Sequence, residues 1–288
     1  MLHFGNQYRT EVAVAQPRQV MSARRALDVL GAFSAERPEW SVTQMSQHLG
    51  VHKSTMSRLL STMEAAGFVR RAPNNGHYAL GPRLLEMAAL VLSRLDVRTV
   101  ARPWLEELSR ASQETVNLAV WDHDEAVNVD QVASTQPILY MGWIGRRTPA
   151  HASSTGKALL AYQPPEVIDR VLGRPLHAFT RSTVTDPARL RQELSWIREC
   201  GYAIAEDEFQ DGVTAVAAAI LTRGLAAGVV SISAPTYRTT RQRKGQFVQL
   251  LTTAAREIGQ RMEIAPVWTS GEVEEAGRGY VRRSGVFV

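Results

Sequence analysis

From Ser22 onward apolar residues return every three or four positions, the spacing that gathers them on one side of a helix. Leu27, Leu30 and Phe33 recur at three-residue steps beside Ala26 and Val29, with Ser22 as the expected N-cap and Glu36-Arg37-Pro38-Glu39 as the stop. Ser41-Val-Thr-Gln44 has the Ser-x-x-Gln form of a capping box, so a second helix is expected from Val42. It would bury Val42, Met45 and Leu49 and end at Gly50. A third, from Lys53 to Ala66, turns Met56, Leu59, Leu60 and Met63 inward, with Gly67 closing it. Ser54, Thr55, Arg58 and Thr62 are then left on the opposite face, with Ser57 and Ser61 at its margins. Phe68–Arg71 and His77–Leu80, on either side of the turn Pro73-Asn-Asn-Gly76, read as a hairpin. Three helices followed by a hairpin make a winged helix-turn-helix, expected over residues 21–81 after a flexible tail at 1–20.

Pro82 opens a further helix at a favourable first position, and residues 82–96 read as a linker helix. Its Leu84, Leu85, Met87, Ala88, Leu92 and Leu95 make an apolar face too broad for a free linker. That face packs either on its own domain or on a second copy of the chain. Residues 97–265 read as a second domain: a helix at Arg102–Ser112, a hairpin of Glu114–Val120 with Ala126–Ala133, and a strand at Ile138–Ile144. Helices at Ser153–Tyr162, Glu166–Leu172 and Pro187–Cys200 follow, then strands at Tyr202–Glu206, Val213–Leu221 and Leu225–Ser233, and a long helix from Gln242 to Met262. An antiparallel sheet flanked by helices places this domain in the α+β class. Residues 266–288 carry no period and read as a flexible tail.

Charge sharpens the division. Residues 1–82 hold nine Lys/Arg against five Asp/Glu, and residues 97–265 nineteen against eighteen, so nearly all of the net +5 lies with the helix-turn-helix. A duplex would use it there, through counterion release. Lys53 and Arg58 can neutralise phosphates or read guanine edges, while Ser54, Thr55 and Ser57 are short enough for close approach. Thr43 stands near them at the start of the second helix. Arg24 and Arg25 are placed to grip backbone beside the groove, and Arg71 and Asn75 of the wing to touch the minor groove or its phosphates. The partner implied is double-stranded DNA.

Other chemistries find less support. Gly156-Lys157 lacks the upstream glycine spacing and the following Ser/Thr of a phosphate loop. His151 beside Ser153 and Ser154 lacks the glycine pattern of a nucleophile elbow, so no catalytic residue is assigned. His123 lies in a polar turn, and His48 and His52 do not share a helix face, so neither a metal site nor a cofactor is expected. The single cysteine, Cys200, reads as a buried structural thiol. No stretch reaches the length of a membrane span, and the first residues lack a secretory pattern, so a cytoplasmic location is expected.

In order and spacing, seven segments of the chain resemble the IclR family of bacterial transcription regulators. They are SARRALDVLGAF, KSTMSRLLSTMEAAGFV, GHYALGPRLLEMA, ETVNLAV, GRRTPAHASSTGKALLA, GYAIAEDEFQDGVTAVAAAI and GVVSISAP, and the similarity runs from about Ser22 to Met262. The resemblance implies a winged helix-turn-helix joined by a linker helix to a GAF-like effector-binding domain, acting as a homodimer or homotetramer on palindromic operators. It places an effector pocket among Met141, Trp143, the turn Ser154-Thr155-Gly156 with its free helix-start amides, the segment from Ala205 to Ala215, and Ser231 with Ser233. Some family members that bind small oxoacids carry a cysteine where Ala215 stands and an acidic residue where Ala205 stands, whereas both positions are alanine in this chain. The two alanines enlarge the cavity and point to a larger, partly apolar effector with a carboxylate or carbonyl, such as an aromatic acid. Ligand binding is expected to alter the placement of two winged helices, through the linker helix, over half-sites about one DNA turn or a multiple of it apart. Two alternatives stay open: an enzyme with an accessory nucleic-acid-binding domain, and a scaffold that dimerises without a small molecule.

Overall fold

The computed structural model describes residues 20–34, 36–73, 76–134, 136 and 144–263. Asn75, Met141, Trp143, most of the strand expected at Ile138–Ile144 and nearly all of both tails lie outside the described residues. The chain divides into two compact units, residues 1–90 and 91–288.

The first unit opens with helix α1 (Met21–Gly31). It starts one residue before Ser22, and its N-cap is Val20 with no side-chain cap. Of its apolar positions Val29 is sealed and Leu27 is 65% exposed, so the expected three-residue stripe of Leu27, Leu30 and Phe33 is rotated toward Val29. A short strand, β1 (Glu39–Trp40), follows that periodicity does not signal. Trp40 is buried there, its indole N–H donating to Ala32 O at 3.1 Å while the Arg37 guanidinium lies over its ring. Helix α2 (Val42–Leu49) begins with the capping box that its sequence announces: Gln44 N–H donates to Ser41 Oγ, and Ser41 N–H to Gln44 Oε1. Gly50, at φ +64°, turns the chain into α3 (Lys53–Ala65).

Met45, Met56, Leu60, Met63 and Val69 build the core of this unit with Val29, Trp40 and Tyr78. The end of α3 is a Schellman motif, with Phe68 N–H reaching Met63 O and Gly67 N–H reaching Glu64 O, both at 2.9 Å. Strands β2 (Val69–Arg71) and β3 (Tyr78–Leu80) form the wing, and β3 also pairs with β1. Gly81 returns to the foot of α3: its N–H donates to Phe68 O at 2.8 Å, and a Cβ there would stand 2.2 Å from Gly67 O. Arg83 N–H donates to that same Gly67 carbonyl. Helix α4 (Arg83–Ser93) starts at this knot, and none of its residues is buried.

In the second unit α5 spans Asp96–Ser112, six residues longer at its start than expected. Pro103 marks a helix start by rule, but it sits in the interior here. Val97, Ala101, Leu105 and Leu108, at steps of four, four and three, hold the earlier turns on the core. Strands β4 (Thr115–Asp122), β5 (Glu125–Val132) and β6 (Arg147–Pro149) come next. The β4–β5 turn is two residues, His123-Asp124, both at positive φ. Helices α6 (Ser154–Leu160), α7 (Pro165–Leu172) and α8 (Pro187–Cys200) precede β7 (Tyr202–Glu206), β8 (Val213–Thr222) and β9 (Leu225–Pro235). Helix α9 (Arg241–Glu263) follows.

All six strands form one antiparallel sheet in the order β6-β5-β4-β9-β8-β7. Val116, Leu118, Val216, Val230 and Ile232 point from it into a core with α5 and α9. Ala119, Ala203, Ala217 and Val229 point the other way, toward α6, α7 and α8. A sheet with helices on both faces is the α+β architecture that the sequence implies.

Candidate functional site

The first candidate is the outer face of α3. Lys53, Ser54, Thr55, Ser57, Arg58, Ser61 and Thr62 are all exposed, because Met56, Leu60 and Met63 take the buried stripe. Thr43 is exposed on α2. Three expected contacts are already engaged within the unit. Arg24 pairs with Asp28 at 3.0 Å one turn on, whereas Arg25 is exposed. Arg71 donates to Tyr78 Oη at 2.7 Å and faces Glu64 at 3.5 Å, tying the wing to α3 with about half its side chain still open to solvent. Ser54 Oγ lies 2.8 Å from His52 Nδ1. His52 is the N-cap of α3, a position that sequence reasoning treated only as a poor metal ligand.

The second candidate is a cavity on the α6 side of the sheet, with about 510 Å³ of empty space including the part open to solvent. Strand register builds its floor. Ala205 pairs with Ala215, Ala215 with Ser233, and Ser231 with Asn117, so two alanines, two serines and an asparagine lie across β7, β8, β9 and β4. Ser153, Ser154 and Thr155 at the start of α6 make one wall, with Thr148 and Asn128. Phe209, Gln210 and Val213 make the other. Six residues expected here, Ser154, Thr155, Ala205, Ala215, Ser231 and Ser233, are thus brought together.

Gly156 does not line it. Its amide is not free as expected but donates to Ser153 Oγ at 3.0 Å, and that hydroxyl donates in turn to Pro149 O at 2.8 Å. Glycine is required there for packing, since a Cβ would stand 2.4 Å from Pro149 O. Asn117, Asn128, Thr148 and Ser153 were missed. Asn117 carried a signal, a polar residue in the otherwise apolar strand TVNLAV. Asn128 did not, because a register shift after Leu118 decides what it faces.

Among the described residues no Lys, Arg, Asp or Glu lines the cavity. Thr148 and Thr155 hydroxyls satisfy each other at 3.1 Å, and Asn117 Oδ1 accepts from Gln131 at 3.1 Å. Ser154 and Ser231 are almost fully buried and have no protein partner among the described residues, so their hydroxyls remain available to a ligand.

Charge sits just behind the walls. Lys157, on α6 and wholly buried, donates to Glu193 at 2.8 Å and to both oxygens of Glu208 at 2.7 Å. Burial pushes the Glu208 carboxyl above the usual carboxylate range, against the pull of that ammonium. Glu208 precedes Phe209 and Gln210, so the ion pair joins the α6 wall to the opposite one. Thr180 and Thr183 hydroxyls donate to the backbone of Asp207 and Glu208 and hold the same loop from outside. His151 donates its Nε2–H to His177 O at 2.9 Å, and burial depresses its imidazole below the ordinary value. Cys200 is half-buried with its Sγ directed at Tyr202 O, the environment of a structural thiol.

Comparison with known proteins bears on both candidates. Residues 22–73 match the IclR helix-turn-helix domain, and residues 89–260 match the C-terminal domain of the bacterial transcriptional regulator IclR. The chain is 34% identical over 244 residues to the transcriptional repressor IclR of Escherichia coli, covering 83% of this chain and 89% of that one. It is 32% identical over 249 residues to the regulator KdgR of the same organism, covering 86% and 94%. Among solved structures, an IclR homolog complexed with 4-hydroxybenzoate from Microbacterium hydrocarbonoxydans is 28% identical with a TM-score of 0.75, over 85% of this chain and all of that one. With its reading helix uncovered and its cavity walled by paired strands, the chain belongs to the IclR family of bacterial transcriptional regulators and is a ligand-responsive DNA-binding regulator.

Proposed function

We propose that this regulator works in the cytoplasm as a homodimer or homotetramer, reads a palindromic operator of a catabolic operon, and senses an organic acid with an apolar, aromatic body. It performs no catalysis on this reading. The cavity carries the assignment: Ala205 and Ala215 side by side leave room on its floor, Phe209 and Val213 offer apolar contact, and the unpaired Ser154 and Ser231 hydroxyls offer donors. The amides of Ser154 and Thr155, at the positive end of α6, add donors for a carboxylate. A similar protein holds 4-hydroxybenzoate, a ligand of this shape and charge.

Calorimetry on the full chain with pyruvate, glyoxylate, benzoate and 4-hydroxybenzoate tests it. The aromatic acids are expected to bind more tightly, and Ala215→Leu, which fills the floor, is expected to weaken them at least about tenfold, one lost ring contact of about 1.4 kcal/mol. Tight binding of the two smallest acids alone would end the idea.

Self-association is supported by α4, where Leu85 is 74% and Met87 48% exposed beside the exposed Val91. Large apolar side chains exposed around one short helix, with Met87 and Val91 one turn apart, are the kind of surface that self-association covers. Leu85→Ser with Met87→Ser is expected to shift the sedimentation of the chain toward monomer at micromolar concentration. An unchanged assembly would place the interface elsewhere.

A further inference from the structure

His52 caps the reading helix with its ring turned back onto the chain. Its Nδ1 accepts the Ser54 backbone N–H at 3.4 Å and lies 2.8 Å from Ser54 Oγ. A peptide N–H can only donate, so Nδ1 is the acceptor nitrogen, and a neutral ring carries its proton on Nε2. The Ser54 hydroxyl then donates to Nδ1 as well. The ring is exposed, and its Nε2–H has no protein partner among the described residues. Next to it, Lys53 and Thr55 are exposed at the same end of α3. In helix-turn-helix proteins that end of the second helix meets base edges.

We propose that His52 reads sequence: its Nε2–H donates to one acceptor on a base edge in the major groove, a purine N7, guanine O6 or thymine O4. Ser54 is the positioning residue that fixes the ring. Two features favour a base over a phosphate. The Lys53 ammonium beside His52 is the group suited to a phosphate, through counterion release. The His52 ring is also anchored at Nδ1 by the Ser54 N–H and hydroxyl, which orients the Nε2–H, and an oriented donor is what edge recognition requires. The proposal rests on α3 being the DNA-reading helix.

The test uses the full chain and duplexes that it selects from a random pool, with each base pair of the selected half-site then varied in turn. His52→Asn keeps a side-chain oxygen for the cap, and its shorter side chain draws the remaining amide donor back from where Nε2 stands. Discrimination at one base pair per half-site is expected to fall roughly 3- to 10-fold, the net worth of one hydrogen bond. Preferences elsewhere, and the slope of log affinity on log salt, are expected to stay as in the wild type. Ser54→Ala keeps the imidazole but removes the shorter of the two bonds that hold it, and is expected to relax the same base pair. A uniform loss across all sequences overturns the proposal, since it marks a phosphate contact or the cap alone. Unchanged discrimination in both variants overturns it too. If His52→Asn melts below the wild type, Ser54→Ala decides, and full retention of the preference there counts against His52. Failure of the wild-type chain to enrich any duplex would sink α3 as the reading helix, and His52 with it.

Discussion

Lys157→Met is expected to destabilise the second unit by about 3–5 kcal/mol, the usual cost of removing one partner from a buried ion pair. In a unit of this size that lowers Tm by roughly 10 °C. The reason is local. Lys157 is fully buried, and its ammonium is the hydrogen-bond donor to both oxygens of the nearly buried Glu208. Methionine matches the stem of lysine but leaves that carboxylate without its cation. Glu193 is partly exposed and can turn to water, whereas Glu208 cannot. Lys157→Met combined with Glu208→Gln is therefore expected to recover a good part of the loss. Thermal melts of the two variants give the check. Effector affinity should fall in the single variant as well, because the pair joins the two walls of the cavity. A single variant that melts with the wild type would mean that the ion pair does not hold those walls.

Arg58→Glu is expected to lower affinity for a selected duplex by roughly 100-fold at moderate salt and to leave Tm where it was. Arg58 is exposed in the middle of the α3 outer face and makes no ion pair among the described residues, so the described fold loses nothing with it. On DNA the change removes a phosphate or guanine contact and sets a negative charge against the duplex, a loss of about 1–3 kcal/mol for each helix engaged. The slope of log affinity on log salt should become shallower. Fluorescence anisotropy across a salt series reads both quantities. Wild-type affinity in this variant would mean that another face of the unit meets DNA.

Much of the fold was legible because its elements are punctuated. Helix α8 is framed by Asp186, which accepts the Ala188 N–H, and by Gly201 at φ +82°, and its ends were read to the residue. The start of α2 was fixed by its capping box, and the end of α3 by Gly67. Where punctuation misleads, the reading fails. Pro103 imitates a helix start inside α5, and only the steps of Val97, Ala101 and Leu105 onto the sheet reveal the earlier turns. The short β1 strand had no period to show, and it exists because Trp40 is buried and tied to Ala32 O.

The candidate sites divide in the same way. The outer face of α3 follows from periodicity alone, since fixing Met56, Leu60 and Met63 fixes what lies opposite. The serines of β9 follow from the strand period of two. The cavity residues from β5 and β6 depend on pairing between distant segments, which no local pattern encodes. A buried lysine carries no sequence signal whatever, and Lys157 entered only as part of a phosphate-loop spacing that did not hold.

The knot at Gly67, Gly81 and Arg83 leaves no slack between the foot of the reading helix and the first turn of α4. Gly81 N–H and Arg83 N–H both bond the backbone that closes α3, so the foot of α3 and the first turn of α4 share one hydrogen-bonded turn. A Cβ at Gly81 would collide with Gly67 O, and one at Gly67 would be strained at φ +80°, so enlarging either glycine would force that turn open.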